Sequence, residues 1–286
     1  MAKNIVLRKE QLKRVINEIG ETLTSDSVRG YAFDWDDNIL FMPTKINMQK
    51  NENGDWVDIK VSTEEFADVR NNPNYKLTPY AFDDFAKSDT FIRDVKVAIE
   101  DRKFAPSFEK FKEALTYANP FSIITARGTP PTAIKEGVKL LIGGTFSLEE
   151  IDKMLDNISN AYPSTTDMGM EEKIEFYLSQ NYYSPVTSDE FKSKFGLDMG
   201  ADRPELGKKI ALKDYVDKVV DGVKKLSGDE YTKLSIGFSD DDRKNISTVI
   251  SYIRDELSVE YPDITFVVYD TSQGGENKII VSKLDS

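Results

Sequence analysis

Asp34 and Asp36 stand one residue apart, directly after the apolar run Tyr31-Ala32-Phe33. This spacing puts one carboxylate at a strand end and lets the second turn back toward the same point. A third acid from Asp240-Asp241-Asp242, at the end of the run Leu234–Phe238, would complete a set of hard oxygen donors suited to Mg²⁺. A carboxylate can attack phosphorus and form an aspartyl phosphate. A metal ion beside it screens the anionic nucleophile from an anionic substrate. The Thr125 hydroxyl, ending Phe121-Ser122-Ile123-Ile124, and an ammonium from a nearby lysine would hold the remaining phosphoryl oxygens.

The composition agrees with such a site. The 286 residues contain no Cys and no His. Disulfides, thiolate nucleophiles and Cys-based metal sites are therefore excluded, as are imidazole ligands and Ser-His-Asp catalysis. Acid–base work falls to carboxylates, Lys, Tyr or water, and any metal must accept oxygen. The net charge of -12 disfavours a broad nucleic-acid surface, which needs Lys and Arg to neutralise phosphates. It leaves room for one phosphate in a metal-loaded pocket. No apolar stretch approaches the roughly 20 residues of a spanning helix, so no membrane partner is expected. The start, MAKNIVLRKEQLKRV, lacks the apolar core of a secretory signal, and a cytoplasmic protein is expected (host cytoplasm if viral).

The length suits two average domains, or one large α/β domain with insertions. Residues 8–24 read as an amphipathic helix, with Leu12, Val15, Ile16, Ile19 and Leu23 on one face and Arg8, Lys9, Lys13 and Arg14 on the solvated side. Strands are expected at 31–33, 121–124, 182–187, 234–238, 264–269 and 278–284. Extended segments at 40–48 and 55–62 flank Asn53-Gly54, a hairpin signal. Helices are expected at 63–70, 91–101, 107–117, from Pro131 to Gly143-Gly144, and at 147–160, 171–180, 206–226 and 244–257, with Ser147-x-x-Glu150 as a capping box. Strands alternating with helices predict an α/β fold: a Rossmann-like three-layer sandwich with a mostly parallel central sheet, a flap hairpin and helical insertions. Ligands gather beyond the carboxyl ends of such strands.

Phe33-Asp34-Trp35-Asp36-Asp37-Asn38-Ile39-Leu40 resembles the first motif of the haloacid dehalogenase-like superfamily, an apolar strand followed by Asp-x-Asp-x-Thr or a near equivalent. Ile123-Ile124-Thr125-Ala126-Arg127-Gly128 resembles the second, and Ile236-Gly237-Phe238-Ser239-Asp240-Asp241-Asp242-Arg243-Lys244-Asn245-Ile246 the fourth. The three occur in family order, each on an expected strand end. The competing reading is a nucleotide-binding-like α/β protein with acidic loops. Asn38 stands where many members have Thr, and Asp37 where many have Gly.

The resemblance implies roles. Asp34 would be the nucleophile and Asp36 the general acid, then the base that activates water. The Asp34 side chain, the Asp36 backbone carbonyl and Asp241 would bind Mg²⁺, with Asp240 and Asp242 as alternatives to Asp241. Thr125 would hydrogen-bond the phosphoryl group, with Ala126, Arg127 and Lys209 beside it; for Arg127 a structural salt bridge is the equal alternative. Lys213, in Ala211-Leu212-Lys213-Asp214, is chosen as the motif lysine, ahead of Lys209 and Lys208. Residues 1–29 would form the N-terminal helix and 30–286 the core, interrupted by insertions at 41–104 and 144–180. Trp56, Tyr75, Tyr80, Phe82 and Phe85 in the first insertion would mostly pack; stacking on a base or sugar is the alternative.

The implied activity is a Mg²⁺-dependent phosphomonoester hydrolase acting on a nucleotide or small phosphorylated metabolite. One alternative is a phosphatase for phosphorylated nucleic-acid ends, since Asp241-Asp242-Arg243 is similar to members with that activity. It would need a basic lane near Lys208, Lys209, Arg127 and Arg243. The other is a non-catalytic structural or interaction protein, for example viral.

Overall fold

Tyr31, Ala32 and Phe33 alternate between two apolar clusters, so this strand is covered on both faces. It is the central strand of the sheet. The computed structural model describes residues 27–197, 204–227 and 233–282. The helix expected at 8–24 lies outside the described residues.

The central sheet has six strands. They are β1 (Ser27–Phe33), β5 (Phe121–Thr125), β6 (Tyr182–Pro185), β7 (Lys233–Asp240), β8 (Ile264–Asp270) and β9 (Asn277–Val281), in the order β6-β5-β1-β7-β8-β9. All neighbours are parallel except β8 and β9. From β1 the chain builds outward through β5 and β6, then returns to β1's other side to lay down β7 and β8. The winding therefore reverses between β1 and β7, and in open α/β sheets the crevice at that reversal is where ligands bind. Register sets Phe33 opposite Ser239 on one side and Ile123 on the other. Pro185 ends an edge strand, where a missing N–H costs least.

Helices flank both faces. On the Tyr31 and Phe33 side, apolar residues come from α3 (Ser88–Glu100), α4 (Phe108–Thr116), α5 (Pro131–Thr145), α6 (Leu148–Ala161) and α7 (Met170–Ser179). On the Ala32 side they come from α8 (Asp189–Phe195), α9 (Pro204–Ser227), α10 (Arg243–Tyr252) and the π-helical turn Ile253–Leu257. Among the described residues no helix is long and apolar enough to cross a membrane.

The expected hairpin is present as β2 (Ile46–Glu52) and β3 (Asp55–Val61). Asn53 and Gly54 turn it with φ of 58° and 100°, a left-handed pair that matches strand twist. A third strand, β4 (Tyr75–Leu77), pairs with β2 and was not expected; three residues are too few to show a period. With α1 (Thr63–Val69) and α2 (Asp83–Ala86) this small sheet makes its own cluster around Ile46, Met48, Val61, Ala81 and Phe85. Parts of the segments expected as insertions at 41–104 and 144–180 pack into the core. Phe91 and Val95 of α3, Met154 and Ile158 of α6, and Tyr177 of α7 share one cluster with Phe33. These segments complete a helical layer of the core.

Helix α5 runs through Gly143-Gly144, where the sequence suggested a stop. Gly137 and Gly144 explain the continuation: they face α3. A Cβ on Gly137 would meet Phe91 Cε1 at 2.7 Å, and one on Gly144 would meet Ile99 Cγ2 at 2.8 Å. Gly143 meets nothing. Gly143→Ala should therefore stabilise the protein by about 0.5–1 kcal/mol through helix propensity. Gly137→Ala should destabilise it, because overpacking against the buried Phe91 costs about 1–3 kcal/mol and exceeds that gain. Urea unfolding of the two variants checks the opposite signs.

Candidate active site

Asp34 follows β1, and its N–H donates to the Ser239 carbonyl at 2.9 Å. Register then sets Asp34 beside Asp240, the last residue of β7. Strand alternation turns the Asp34 side chain to the face covered by α9. From that helix Lys208 reaches in, 1% exposed, with its Nζ 2.6 Å from Asp240 Oδ2 and 3.1 Å from Asp34 Oδ2. Thr125, also buried, ends β5 at the same edge and accepts the Arg127 N–H on its Oγ1 at 3.3 Å. Ala126 is exposed beside it, with its carbonyl taken by the Thr187 hydroxyl.

Carboxylate oxygens of Asp34, Asp240 and Asp241 lie within 4.8 Å of one another. Three carboxylates against one ammonium leave two negative charges, which one divalent cation balances. Asp34 Oδ1 is buried and has no hydrogen-bond partner. An orphaned carboxylate oxygen in an all-oxygen donor set fits Mg²⁺. Burial, more than the attraction of Lys208, raises the Asp34 pKa, and the charges of Asp240 and Asp36 add to it. Burial and the same neighbours, Asp240 and Asp34, raise Asp241. Burial works against the Lys208 charge as well, but Asp240 and Asp34 outweigh it and its pKa rises.

The acids at 240–242 have distinct jobs. Asp240 is saturated: besides Lys208 it accepts from the Asp242 N–H at 3.0 Å and from Asn245 Nδ2. Asp242 caps α10, accepting the N–H of Lys244 at 2.7 Å and of Asn245 at 3.3 Å, and pairs with Arg70 at 3.0 Å. Burial pushes its carboxyl up, but Arg70 and those N–H groups outweigh this and hold it low. Asp241, with its oxygens close to Asp34, remains the ligand candidate the spacing selected.

Of the three candidate lysines, it is Lys208, and not the chosen Lys213, that lies at the Asp34 carboxylate. Lys213 lies five residues along α9, about 7.5 Å further and about 140° around the helix. It pairs there with Asp217 and Glu260. Lys209 points to Glu256 at 2.6 Å and lies over the Tyr252 ring, away from the phosphoryl position assigned to it. The sequence did carry a signal. Lys208 begins the spacing Lys208, Ala211, Leu212, Tyr215, Val216, Val219, all of them buried. A lysine on an apolar stripe needs a buried partner.

Asp36 is held differently from its expected role. Arg127 Nε and Nη2 donate to its two carboxylate oxygens, each at 2.7 Å. Nη2 also donates to Thr44, whose hydroxyl donates to Asp94 at 2.6 Å. The guanidinium lies between the rings of Phe85 and Phe91, at 4.7 and 5.1 Å. Arg127 thus takes the salt-bridge alternative. The basic lane at Lys208, Lys209, Arg127 and Arg243 is not formed, because the first three are engaged by acids; Arg243 is exposed.

Asn38 was passed over as a family difference. It is fully buried and makes four bonds: Nδ2 donates to the carbonyls of Asp34 and Ser239, while Oδ1 accepts from the hydroxyls of Ser239 and Thr271. It ties the loop after β1 to β7 and to the loop after β8. Ser107, expected only as a helix cap, instead shares a 2.6 Å hydrogen bond with Ser239. No protein-family model, curated protein or solved structure matches the chain.

Two predictions follow from this geometry. Asn38→Ala removes four buried hydrogen bonds, although the Ser239 carbonyl and the hydroxyls of Ser239 and Thr271 each keep another partner, and should cost about 1–3 kcal/mol, measured by urea unfolding. Asp34 and Asp241 have raised pKa values, so their protons stabilise the metal-free fold below the ordinary carboxylate pKa. That contribution is lost as pH rises through the raised values. If Mg²⁺ binds these carboxylates it would replace those protons, and its stabilising shift in Tm should then be larger near about pH 9 than near about pH 6. An equal shift at both would remove these carboxylates from the metal site.

Proposed function

We propose that this protein is a Mg²⁺-dependent phosphomonoester hydrolase that works through an aspartyl phosphate on Asp34. The observation that carries the reading is the Asp34 carboxylate itself. It sits at the reversal of the sheet, one oxygen 3.1 Å from a buried ammonium and the other without a partner.

Asp34, Asp241 and the Asp36 backbone carbonyl would hold Mg²⁺, while Asp240, already saturated, holds Lys208 in place; the ion would supply charge neutralisation for an anionic nucleophile facing an anionic ester. The Asp34 oxygen bonds to phosphorus while the ester oxygen leaves. Lys208 orients the Asp34 carboxylate and keeps its proton throughout, so it acts as a fixed positive charge. The Thr125 hydroxyl donates to a phosphoryl oxygen. Asp36 must first take up a proton from solvent to act as the acid; it then gives that proton to the leaving oxygen and, as the carboxylate, takes one from the water that hydrolyses the acyl phosphate. To do so it must exchange one of its two Arg127 bonds for the reacting group. The same clamp favours a second reading, in which the chain binds a phosphate group without turning it over.

Hydrolysis of an aryl phosphate separates the two. Wild type should be active with Mg²⁺ and inactive with a chelator, and Asp34→Asn should lose at least about 10³-fold in kcat. No activity in the wild type would favour the binding reading. Unchanged activity in the variant would overturn the nucleophile.

A further inference from the structure

A cavity of about 320 Å³ begins at Asp37, the residue after Asp36, and none of the groups assigned to the reaction lines it. Its walls are the segment after the Asp36 turn, the start of α1 and the end of α3. Phe41, Met42, Pro43 and Val97 supply apolar surface. Phe41 and Val97 are 45% and 37% exposed, which is unusual for large apolar side chains meeting in one hollow. Asp37 closes the end toward the site: it follows Asp36 directly, and its charge acts on Asp241. The volume is at the small end of ligand pockets, which begin at roughly 300 Å³.

The charges of this cavity are one-sided. Asp37, Glu64 and Asp101 line it, against the single cation Lys103. The cations nearer the cluster do not correct the imbalance. Lys208 is held by Asp34 and Asp240, Arg127 by Asp36, and Arg70 by Asp242. A second anionic group on the substrate would meet acids there. A positively charged group would meet three carboxylates, which attract cations, beside the apolar surface of Phe41 and Val97.

We propose that this cavity receives the leaving group of the phosphoester, and that it selects a compact apolar alcohol carrying an amine over one carrying a second anion. This rests on the hydrolase reading and narrows its substrate class. Esters of small amino alcohols fit, whereas nucleoside polyphosphates and phosphorylated nucleic-acid ends do not.

Three aryl esters of matched shape test it at low salt with Mg²⁺: phenyl phosphate, 4-(aminomethyl)phenyl phosphate and 4-carboxyphenyl phosphate. The aminomethyl ester should exceed the carboxy ester in kcat/KM by at least about tenfold, with phenyl phosphate between them. The exposed double substitution Glu64→Gln with Asp101→Asn should bring that ratio toward one. Val97→Trp should raise KM for phenyl phosphate about tenfold with little change in kcat, and should leave acetyl phosphate, whose leaving group is too small to fill the cavity, unaffected. Equal kcat/KM for the two charged esters, or a phenyl phosphate KM untouched by Val97→Trp, would overturn the proposal. Calorimetric binding of the same two charged esters reads the cavity without turnover. If the wild type hydrolyses no ester, the hydrolase reading fails. Tighter binding of the aminomethyl ester would then still support the cavity's selectivity, and equal binding would overturn it.

Discussion

The Lys208 ammonium is the interaction on which the site depends. A charge at 1% exposure survives only where carboxylates surround it, and here two strands each deliver one. Asp34 and Asp240 can lie side by side only because β1 and β7 are adjacent and parallel in a register that pairs Phe33 with Ser239. The ammonium in turn makes that arrangement tolerable, since two buried carboxylates without it would repel. Removing one member of such a group strands the others, which typically costs about 3–5 kcal/mol. Geometry and electrostatics are therefore one constraint here.

A second layer fixes the backbone beneath those carboxylates. Asn38 uses all its hydrogen-bonding capacity on the carbonyls of Asp34 and Ser239 and the hydroxyls of Ser239 and Thr271. The Arg127 clamp links the same loop outward, since its guanidinium rests on Phe85 from the small sheet and on Phe91 from the helical layer. Arg70 at the end of α1 reaches Asp242 and adds a second tie from insertion to strand end. A displacement of the small sheet would be felt at both Asp36 and Asp242.

What could be read from the sequence follows from range. Apolar runs ending in polar residues announced β1, β5 and β7, because the pattern is local. The capping boxes at Ser62 and Ser147 and the Asn53-Gly54 turn were equally local. The Asp36–Arg127 pair spans 91 residues and the Asn38–Thr271 bond 233, and no spacing rule reaches that far. The lysine was misassigned for a different reason. Its place on the apolar stripe with Ala211, Leu212 and Tyr215 is visible in the spacing, but the choice of Lys213 did not use that stripe. The three-residue β4 left no trace because it exists only through pairing with β2.

The central place of β1 also bears on how the chain is made. Its neighbours β5 and β7 leave the ribosome long after it does. At a synthesis rate of about 5–20 residues per second, the roughly 200 residues between β1 and β7 take on the order of 10–40 s. Tyr31, Phe33 and Trp35 lack their covering helices until about residue 179 has been made, and β1 lacks its β7 neighbour until the end of that interval. Of the strands that carry the site, the first to be synthesised is thus paired on its second edge only when β7 appears. This protein would depend on a holding factor, or on a slow nascent chain kept apart from its copies, more than its acidic and well-solvated surface suggests.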